Sequence, residues 1–367
     1  MTKNTTENDE KFMRYALALA KKGMGRTNPN PMVGSVIVKD GKIISEGFHA
    51  KYGEFHAERN AILACKEDMT GATIYVTLEP CCHHGKTPPC TDIITESGIK
   101  KVVVGCVDTN PKVGGKGIKI LRDNGIEVIT GVLEEECRKL NEVFFHFIET
   151  KMPFVVMKYA MTADGKICTH TGSSKWITSE KARQHVHYTR NRLASVMVGI
   201  GTVEKDDPML NCRIENGRDP VRIICDSKLR ISEYSNIIST SDRIRTIIAA
   251  NNSIDENKAD ILRKKGAEVI CAGDGKGRVD LYLLMKKLGE MNIDSILLEG
   301  GATLNNSALK CGIVNRINVY IAPKIFGGGG KSPFEGTGVN TADAAYRLEL
   351  INTEHIGEDI LLDYKVR

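Results

Sequence analysis

The sequence lacks any long apolar segment. Its 367 residues contain no run that approaches the roughly 18 apolar residues of a membrane-spanning helix. The N-terminal residues 1–7 lack the apolar stretch of a secretory signal peptide. We therefore expect a soluble, cytoplasmic protein with no membrane partner. The eleven cysteines, an odd number, are then predicted to be reduced thiols rather than disulfides.

Blocks of like charge are also missing. The chain has 51 Lys and Arg against 46 Asp and Glu, and the net charge of +5 is spread along the sequence. This distribution argues against a dedicated nucleic-acid-binding protein and is compatible with an anionic, phosphorylated metabolite as substrate. The length predicts about two domains, each with a full core.

Two familiar binding motifs are absent. The glycine turns at 199–202, 299–304 and 327–330 do not have the spacing Gly-x-Gly-x-x-Gly, which excludes a Rossmann fingerprint. Taken alone, each turn is better explained as a plain connector. Cys-x₂-Cys pairs, which are typical of a structural zinc knuckle, are missing as well.

What the sequence does contain is a set of zinc-ligand residue types. His56 is followed by Glu58, and Cys81 and Cys90 come later, with eight residues between the two cysteines. One imidazole and two thiolates fill three tetrahedral positions of Zn²⁺ and leave the fourth for a water molecule, which is typical of a catalytic site. Glu58 is predicted to be the proton shuttle of a hydrolytic deamination. Cys82 is a competing ligand, and a structural zinc site is the alternative interpretation.

Periodicity predicts alternating strands and helices in two domains, residues 1–147 and 153–367, with a break at 151–153. A helix is predicted from Asp9 to about Lys22, another at 57–64, and one from Leu133 to Phe147. Asp40-Gly41 is predicted to be a hairpin turn. Cys81-Cys82 and Pro88-Pro89-Cys90 are predicted to begin helices whose dipoles lower the thiol pKa. In the second domain, helices are predicted at 179–191 and 280–291. Strands are predicted at 33–38, 42–47, 73–78, 101–105, 126–129, 154–158, 195–199, 221–226, 244–249, 267–270, 295–299 and 316–321.

Two strings in the first domain resemble the deaminase half of the bifunctional riboflavin-biosynthesis deaminase/reductase family. They are Glu-Pro-Cys-Cys-His-His-Gly-Lys-Thr-Pro-Pro-Cys at 79–90 and Thr-Asn-Pro-Asn-Pro-Met-Val-Gly at 27–34. The resemblance implies a cytidine-deaminase-like three-layer α/β/α domain. It also implies that His56, Cys81 and Cys90 bind one zinc ion, that Glu58 is catalytic, and that Asn28 lies at the pyrimidine pocket. His83, His84 and Lys86 are placed in a loop near the substrate, although a solvated loop is an equal alternative for each.

Further strings at 158–167, 174–179, 201–210, 298–302 and 321–324 resemble the reductase half of the same family. This resemblance implies a dihydrofolate-reductase-like α/β domain that uses NADPH. The implied cofactor-binding residues are Ala160, Trp176, Thr202, Asp206 and Ser227, together with Gly301, Ala302, Thr303 and Leu304. These last four belong to a turn that continues to Ser307. The implied substrate-binding residues are Ser174, Arg190, Leu210, Arg213 and Glu299. Each has a simpler alternative: the arginines can form surface salt bridges, Thr202 and Asp206 can cap a helix, and Trp176 can be a core residue.

The function predicted from these features is two-step flavin biosynthesis. The first domain is expected to deaminate a diaminopyrimidinone ribosylamino phosphate, and the second to reduce its ribosyl group with NADPH. A nucleoside or tRNA deaminase with a C-terminal nucleotide-sensing module is the rival hypothesis. We also expect a homo-oligomer that acts on a phosphorylated pyrimidine and binds no nucleic acid.

Overall fold

The computed structural model describes residues 6–85, 87–110 and 113–367. It divides into two compact units, one that ends at Thr150 and one that begins at Lys151. Each unit has its own sheet and its own apolar core. Within the described residues, no helix is both long enough and apolar enough to cross a bilayer.

The first unit contains one five-stranded sheet in the order β2-β1-β3-β4-β5. β1 is antiparallel to both β2 and β3, whereas β3, β4 and β5 are parallel. Asp40 and Gly41 both have positive φ, as a tight hairpin between β1 and β2 requires, so the predicted turn is confirmed. The elements are α1 (Glu7–Ala20), β1 (Gly34–Lys39), β2 (Lys42–Phe48), α2 (Ala57–Ala64), β3 (Thr73–Leu78), α3 (Cys90–Glu96), β4 (Lys101–Cys106), α4 (Lys116–Asp123), β5 (Glu127–Thr130), α5 (Glu134–Leu140) and α6 (Glu142–Thr150).

Helices cover both faces of this sheet. The Cα of Gly34 on β1 lies against the backbone of α1, where a side chain would collide with the carbonyl of Ala16. Gly47 on β2 lies in the same way against α2. Gly47 pairs with Ser35 in the sheet, and successive residues of β1 point to opposite faces, so α1 and α2 lie on opposite sides. The unit is therefore the three-layer α/β/α domain that the sequence predicted.

The second unit contains a nine-stranded sheet in the order β10-β9-β8-β7-β11-β6-β12-β14-β13. The strands from β10 to β12 are parallel, and β14 and β13 add an antiparallel edge. Apolar residues are buried on both faces: Met197 of β7 packs in one cluster, and its neighbours Val196 and Val198 in another. The elements are β6 (Phe154–Thr162), α7 (Glu180–Arg192), β7 (Ser195–Gly199), α8 (Ile200–Asp206), β8 (Val221–Cys225), β9 (Thr246–Ala250), α9 (Glu256–Lys264), β10 (Glu268–Cys271), α10 (Leu281–Glu290), β11 (Ser295–Leu298), α11 (Ala302–Lys310), β12 (Arg316–Ala322), β13 (Leu348–Ile356) and β14 (Asp359–Val366).

The structure corrects two predicted elements and adds one that was not predicted. Cys81-Cys82 lies in a loop and begins no helix. Cys90 does begin α3, but its hydrogen bond with Cys81 and its burial raise the pKa of its thiol, contrary to the predicted lowering. The helix predicted from Leu133 to Phe147 is two helices, because the side chain of Asn141 turns inward and hydrogen-bonds both the N–H and the carbonyl of Met32, at 2.8 and 2.9 Å. The hairpin formed by β13 and β14 was not predicted. The expected role of Lys86 falls outside the described residues.

Candidate zinc centre and cofactor site

Three potential zinc ligands converge at the carboxyl end of β3. Cys81 follows that strand, His56 is the N-cap residue of α2, and Cys90 is the first residue of α3. The Sγ atom of Cys81 lies 3.3 Å from Nδ1 of His56, and the Sγ atom of Cys90 lies 3.5 Å from the same nitrogen. The three side chains were predicted as a set from the sequence, and the structure brings them together.

The spacing of these atoms fits a zinc ion. All three potential ligand atoms lie within 4.8 Å of one another. Tetrahedral bonds of about 2.3 Å to sulfur and about 2.0 Å to nitrogen would separate the two ligand atoms by roughly 3.5 Å. The set supplies three soft or borderline donors, which leaves one tetrahedral position for a water molecule. Cys82 does not belong to the group.

The electrostatics of the site favour a thiolate. The Cys90 side chain hydrogen-bonds Cys81 and lowers the pKa of the Cys81 thiol, and the neighbouring His56 lowers it further. The backbone N–H of Cys90 also donates to the Cys81 sulfur, at 3.4 Å. The hydrogen bond with Cys81 in turn raises the pKa of His56. A thiolate is the form of cysteine that binds metal, so the lowered pKa of Cys81 favours metal binding.

Glu58 lies inside the same pocket. Its side chain is only 3 % exposed, in the first turn of α2. Burial raises the pKa of Glu58 to about 7, and the negative charge of Cys81 adds to the effect. A carboxyl group with a pKa near neutrality can both accept and return a proton at physiological pH.

The structure adds His49 to the candidate residues. Its ring lies edge-on to His56, with centroids 5.3 Å apart, and it is almost fully buried. One ring nitrogen contacts the carbonyl of Phe55 at 3.1 Å, and the other contacts the side chain of Asn30 at 3.3 Å. His49 thus links the segment before His56 to the loop that carries Asn28. A single histidine after a strand carries no sequence signal of this role.

Glu79 is a second residue that the sequence analysis did not assign. Its buried carboxylate accepts hydrogen bonds from the backbone N–H groups of Asp108, Gly115 and Ile118, at 3.2, 3.0 and 3.2 Å. Gly117 packs against the carbonyl of Pro80 so closely that no side chain would fit there. The loop after β4 and the start of α4 therefore hold the segment that leads into Cys81.

The second unit contains a buried ion pair at the carboxyl end of β11. Arg190 donates from Nε and Nη2 to the two carboxylate oxygens of Glu299, at 2.7 and 3.0 Å, and from Nη1 to the carbonyl of Asn211 at 2.9 Å. Burial opposes ionisation of Glu299, but the Arg190 guanidinium outweighs it and lowers the pKa of Glu299 overall. The guanidinium of Arg190 thus holds Glu299, which is itself one of the implied substrate-binding residues. Arg213 is exposed nearby, where its Nε contacts the side chain of Asn211 at 3.3 Å.

Lys158 on β6 adjoins this pair and is a further unassigned residue. Burial lowers the pKa of Lys158, an effect that the charge of Glu299 partly offsets. Its ammonium group lies 5.6 Å from the ring centroid of Tyr320, whose hydroxyl contacts His185 at 2.8 Å. Lys158 begins the string at 158–167 that resembles the reductase half of the family. Its proximity to Glu299, however, depends on the pairing of β6 with β11.

Several residues implied to bind the cofactor are brought together by the fold. Thr202 in α8 and Gly301, the N-cap residue of α11, face each other: the hydroxyl of Thr202 would lie 3.7 Å from a side chain placed on Gly301. Leu304 lies beside Gly199. Lys175 forms a salt bridge of 3.4 Å with Asp206, which draws the Trp176 segment towards α8.

The other predicted residues lie around this group. Ala160 is on β6, Ser227 follows the carboxyl end of β8, and Ser174 lies in the loop before Trp176. Leu210 is buried next to Asn211. The remaining cofactor candidates, Ala302 and Thr303, form the first turn of α11.

Comparison with known proteins gives concordant results for both units. Residues 6–106 match the cytidine and deoxycytidylate deaminase zinc-binding region, and residues 153–362 match the RibD C-terminal domain. The riboflavin biosynthesis protein RibD of Actinobacillus pleuropneumoniae is 56 % identical over 98 % of this chain and 96 % of its own length.

Two solved structures superimpose along almost the whole chain. A diaminohydroxyphosphoribosylaminopyrimidine deaminase/5-amino-6-(5-phosphoribosylamino)uracil reductase from Thermotoga maritima is 42 % identical, with a TM-score of 0.87 over 98 % of this chain and 99 % of that one. RibD of Acinetobacter baumannii is 36 % identical, with a TM-score of 0.89 and the same coverage. With a zinc-type ligand set in one unit and a reductase domain in the other, the chain belongs to the RibD family of bifunctional riboflavin-biosynthesis deaminase/reductases.

Proposed function

We propose that residues 1–147 deaminate 2,5-diamino-6-(ribosylamino)-4(3H)-pyrimidinone 5′-phosphate and that residues 153–367 then reduce its ribosyl group to a ribityl group. The observation that carries the first step is the convergence of His56, Cys81 and Cys90 beside the buried carboxyl group of Glu58. Zinc, when bound to the three ligands, supplies Lewis-acid activation of a water molecule. Glu58 takes a proton from that water and returns it to the departing amine.

The reductase step needs orientation and proton control rather than a metal. NADPH supplies the hydride when bound, and the protein holds the sugar carbon in line with it. Arg190 keeps Glu299 ionised and fixed, so that its carboxylate can accept hydrogen bonds from sugar hydroxyls. We assign to Lys158, a half-buried cation beside Glu299, the role of proton donor to the sugar oxygen that is released when the ring opens. The expectation of a homo-oligomer stays a prediction.

The direct test is to supply the diaminopyrimidinone ribosylamino phosphate together with NADPH. Ammonia release and loss of NADPH absorbance are followed in the same sample. We expect ammonia to appear first and NADPH oxidation to depend on it. Ammonia release from adenosine, cytidine or tRNA in place of this substrate would instead support the rival nucleoside or tRNA deaminase, and NADPH binding without oxidation would identify the second unit as a sensor.

Replacing the two arginines should have different effects. Arg213→Ala is expected to raise the reductase KM for the phosphorylated substrate about tenfold, because the substrate phosphate loses a charge-assisted hydrogen bond. Stability should change little, because the side chain of Arg213 is exposed. Arg190→Ala leaves a buried carboxylate unpaired and is expected to cost about 3–5 kcal/mol of folding free energy. Steady-state kinetics and thermal unfolding measure the two effects. An unchanged KM in Arg213→Ala would assign that arginine to the solvated surface.

Trp176, the single tryptophan, should report cofactor binding. Its ring is 62 % exposed and lies 4.4 Å from the guanidinium carbon of Arg183, so it is a surface residue rather than a core one. Because indole emission overlaps the absorption of reduced nicotinamide, NADPH should quench protein fluorescence in a saturable way. The quenching should be lost when Thr202 and Asp206 are both changed to Ala. Absence of energy transfer at saturating NADPH would move Trp176 away from the cofactor.

A further inference from the structure

A loop at residues 273–279 crosses the end of the sheet in the second unit. Gly273 and Val279 form an antiparallel bridge across it. The backbone N–H of Asp274 donates to the carbonyl of Arg278 at 2.9 Å. The Asp274 carboxylate accepts from the N–H groups of Lys276 and Arg278, at 2.7 and 2.9 Å. These bonds fix the backbone, so the side chains of Lys276 and Arg278 project from a preorganised base.

This 273–279 loop is attached to the neighbouring strands. The N–H of Val279 donates to the hydroxyl oxygen of Ser227, after β8, at 3.1 Å. The side-chain amide of Asn251, after β9, donates to the carbonyl of Gly277 at 3.3 Å. Because β8, β9 and β10 are parallel neighbours, the loop lies at their carboxyl edge, which is where ligands bind in open α/β sheets.

The chemistry of the loop suits an anion. Lys276 and Arg278 are both exposed, and neither forms a salt bridge with any residue in the described ranges. Asp274, the acidic residue of the loop, already accepts two backbone N–H groups. The hydroxyl of Ser227 accepts from Val279, so its hydrogen is available to donate. Exposed cations alone are usually solvated, but here two of them stand beside a hydroxyl donor on a fixed backbone.

The position of the loop along the sheet identifies the anion. The residues suited to the sugar chemistry, Lys158 and Glu299, lie at β6 and β11. The nicotinamide of NADPH must reach them, and the backbone N–H groups that begin α11 after Gly301 suit the cofactor's pyrophosphate. The adenosine end of the cofactor then extends away from β11 and β6, over β7 to β8, where Ser227 and the 273–279 loop lie.

We propose that the 273–279 loop binds the 2′-phosphate of the NADPH adenosine through Lys276 and Arg278, next to Ser227, and so sets the preference for NADPH over NADH. The inference rests on the proposed function, since it requires the cofactor at Ser227. NADH lacks this phosphate but shares every other group, so the two cofactors differ only in what the loop contacts.

The test uses the full-length chain carrying Lys276→Ala and Arg278→Ala together. We expect the KM and Kd for NADPH to rise at least about tenfold, because two charge-assisted contacts are lost, while the KM for NADH changes little. The preference of the unchanged protein for NADPH should also fall as ionic strength rises, because salt screens the interaction between exposed charges. The matched control is Lys287→Ala with Lys310→Ala, which removes the same charge from the last turns of α10 and α11 at the opposite edge of the sheet.

Three outcomes distinguish the possibilities. Unchanged KM values for both NADPH and NADH in the double variant overturn the inference, and if the substrate KM rises instead, the loop serves the substrate phosphate. An equal loss with both nicotinamide cofactors assigns the loop to the pyrophosphate and also overturns it. Failure of the unchanged protein to oxidise either cofactor would count against the proposed function itself. The KM for NADH, which should change little, serves as the folding control for the second unit.

Discussion

Glu58→Gln is expected to lower the rate of deamination by about 10²–10⁴-fold, the usual contribution of general acid–base catalysis. Glutamine keeps the size and the hydrogen-bonding oxygen of Glu58 but cannot carry a proton between water and amine. The side chain is 3 % exposed, so bulk water has little access with which to replace the carboxyl group as a proton carrier. Ammonia release from the diaminopyrimidinone substrate measures the effect.

The second unit provides the control for this variant. NADPH oxidation with substrate that is already deaminated should continue at the unchanged rate, because Glu58 belongs to the first unit. Zinc content should also remain, since Glu58 is not one of the three ligands. Loss of both activities in a folded Glu58→Gln protein would contradict the two-site interpretation.

Cys81→Ser should remove most of the zinc and, with it, deamination. The sulfur of Cys81 is the thiol whose pKa is lowered, by hydrogen bonding to Cys90 and by His56, so it is the natural thiolate ligand. A serine hydroxyl of the same shape stays protonated at neutral pH and is a poor ligand for zinc. Metal analysis of the purified protein gives a readout that does not depend on turnover.

Cys82→Ser is the matched control one residue away. Burial raises the pKa of the Cys82 thiol, which favours its neutral form. Cys82 also lies outside the group of convergent ligand atoms. We therefore expect full zinc content and full activity in this variant. Full zinc content in Cys81→Ser and loss in Cys82→Ser would reverse the ligand assignment.

The sequence, together with the family resemblance that it carries, predicted the fold class and the three side chains that the structure brings together. His56, Glu58, Cys81 and Cys90 have side chains whose chemistry is restricted enough to identify them from residue type and order. The alternation of strands and helices likewise follows from local periodicity, as the Asp40-Gly41 hairpin shows. Such features depend on residues close together in the chain, or on a rare combination of residue types.

Other features depended on contacts between distant residues. The pair of helices around Asn141 exists because that side chain bonds Met32, 109 residues earlier, and no local pattern records this. The fork of Arg190 is directed by Glu299, which is also 109 residues away. His49, Glu79 and Lys158 are ordinary residue types whose partners are selected only when strands pair and loops close over them.

The sequence by itself therefore determined which metal and cofactor chemistry this protein can carry, because that chemistry depends on residue types in a rare order. The tertiary structure decided which polar groups serve as partners inside each unit. Burial there makes unpaired charges and hydrogen-bonding groups costly, so their pairing depends on the packing of the whole unit rather than on the neighbouring sequence.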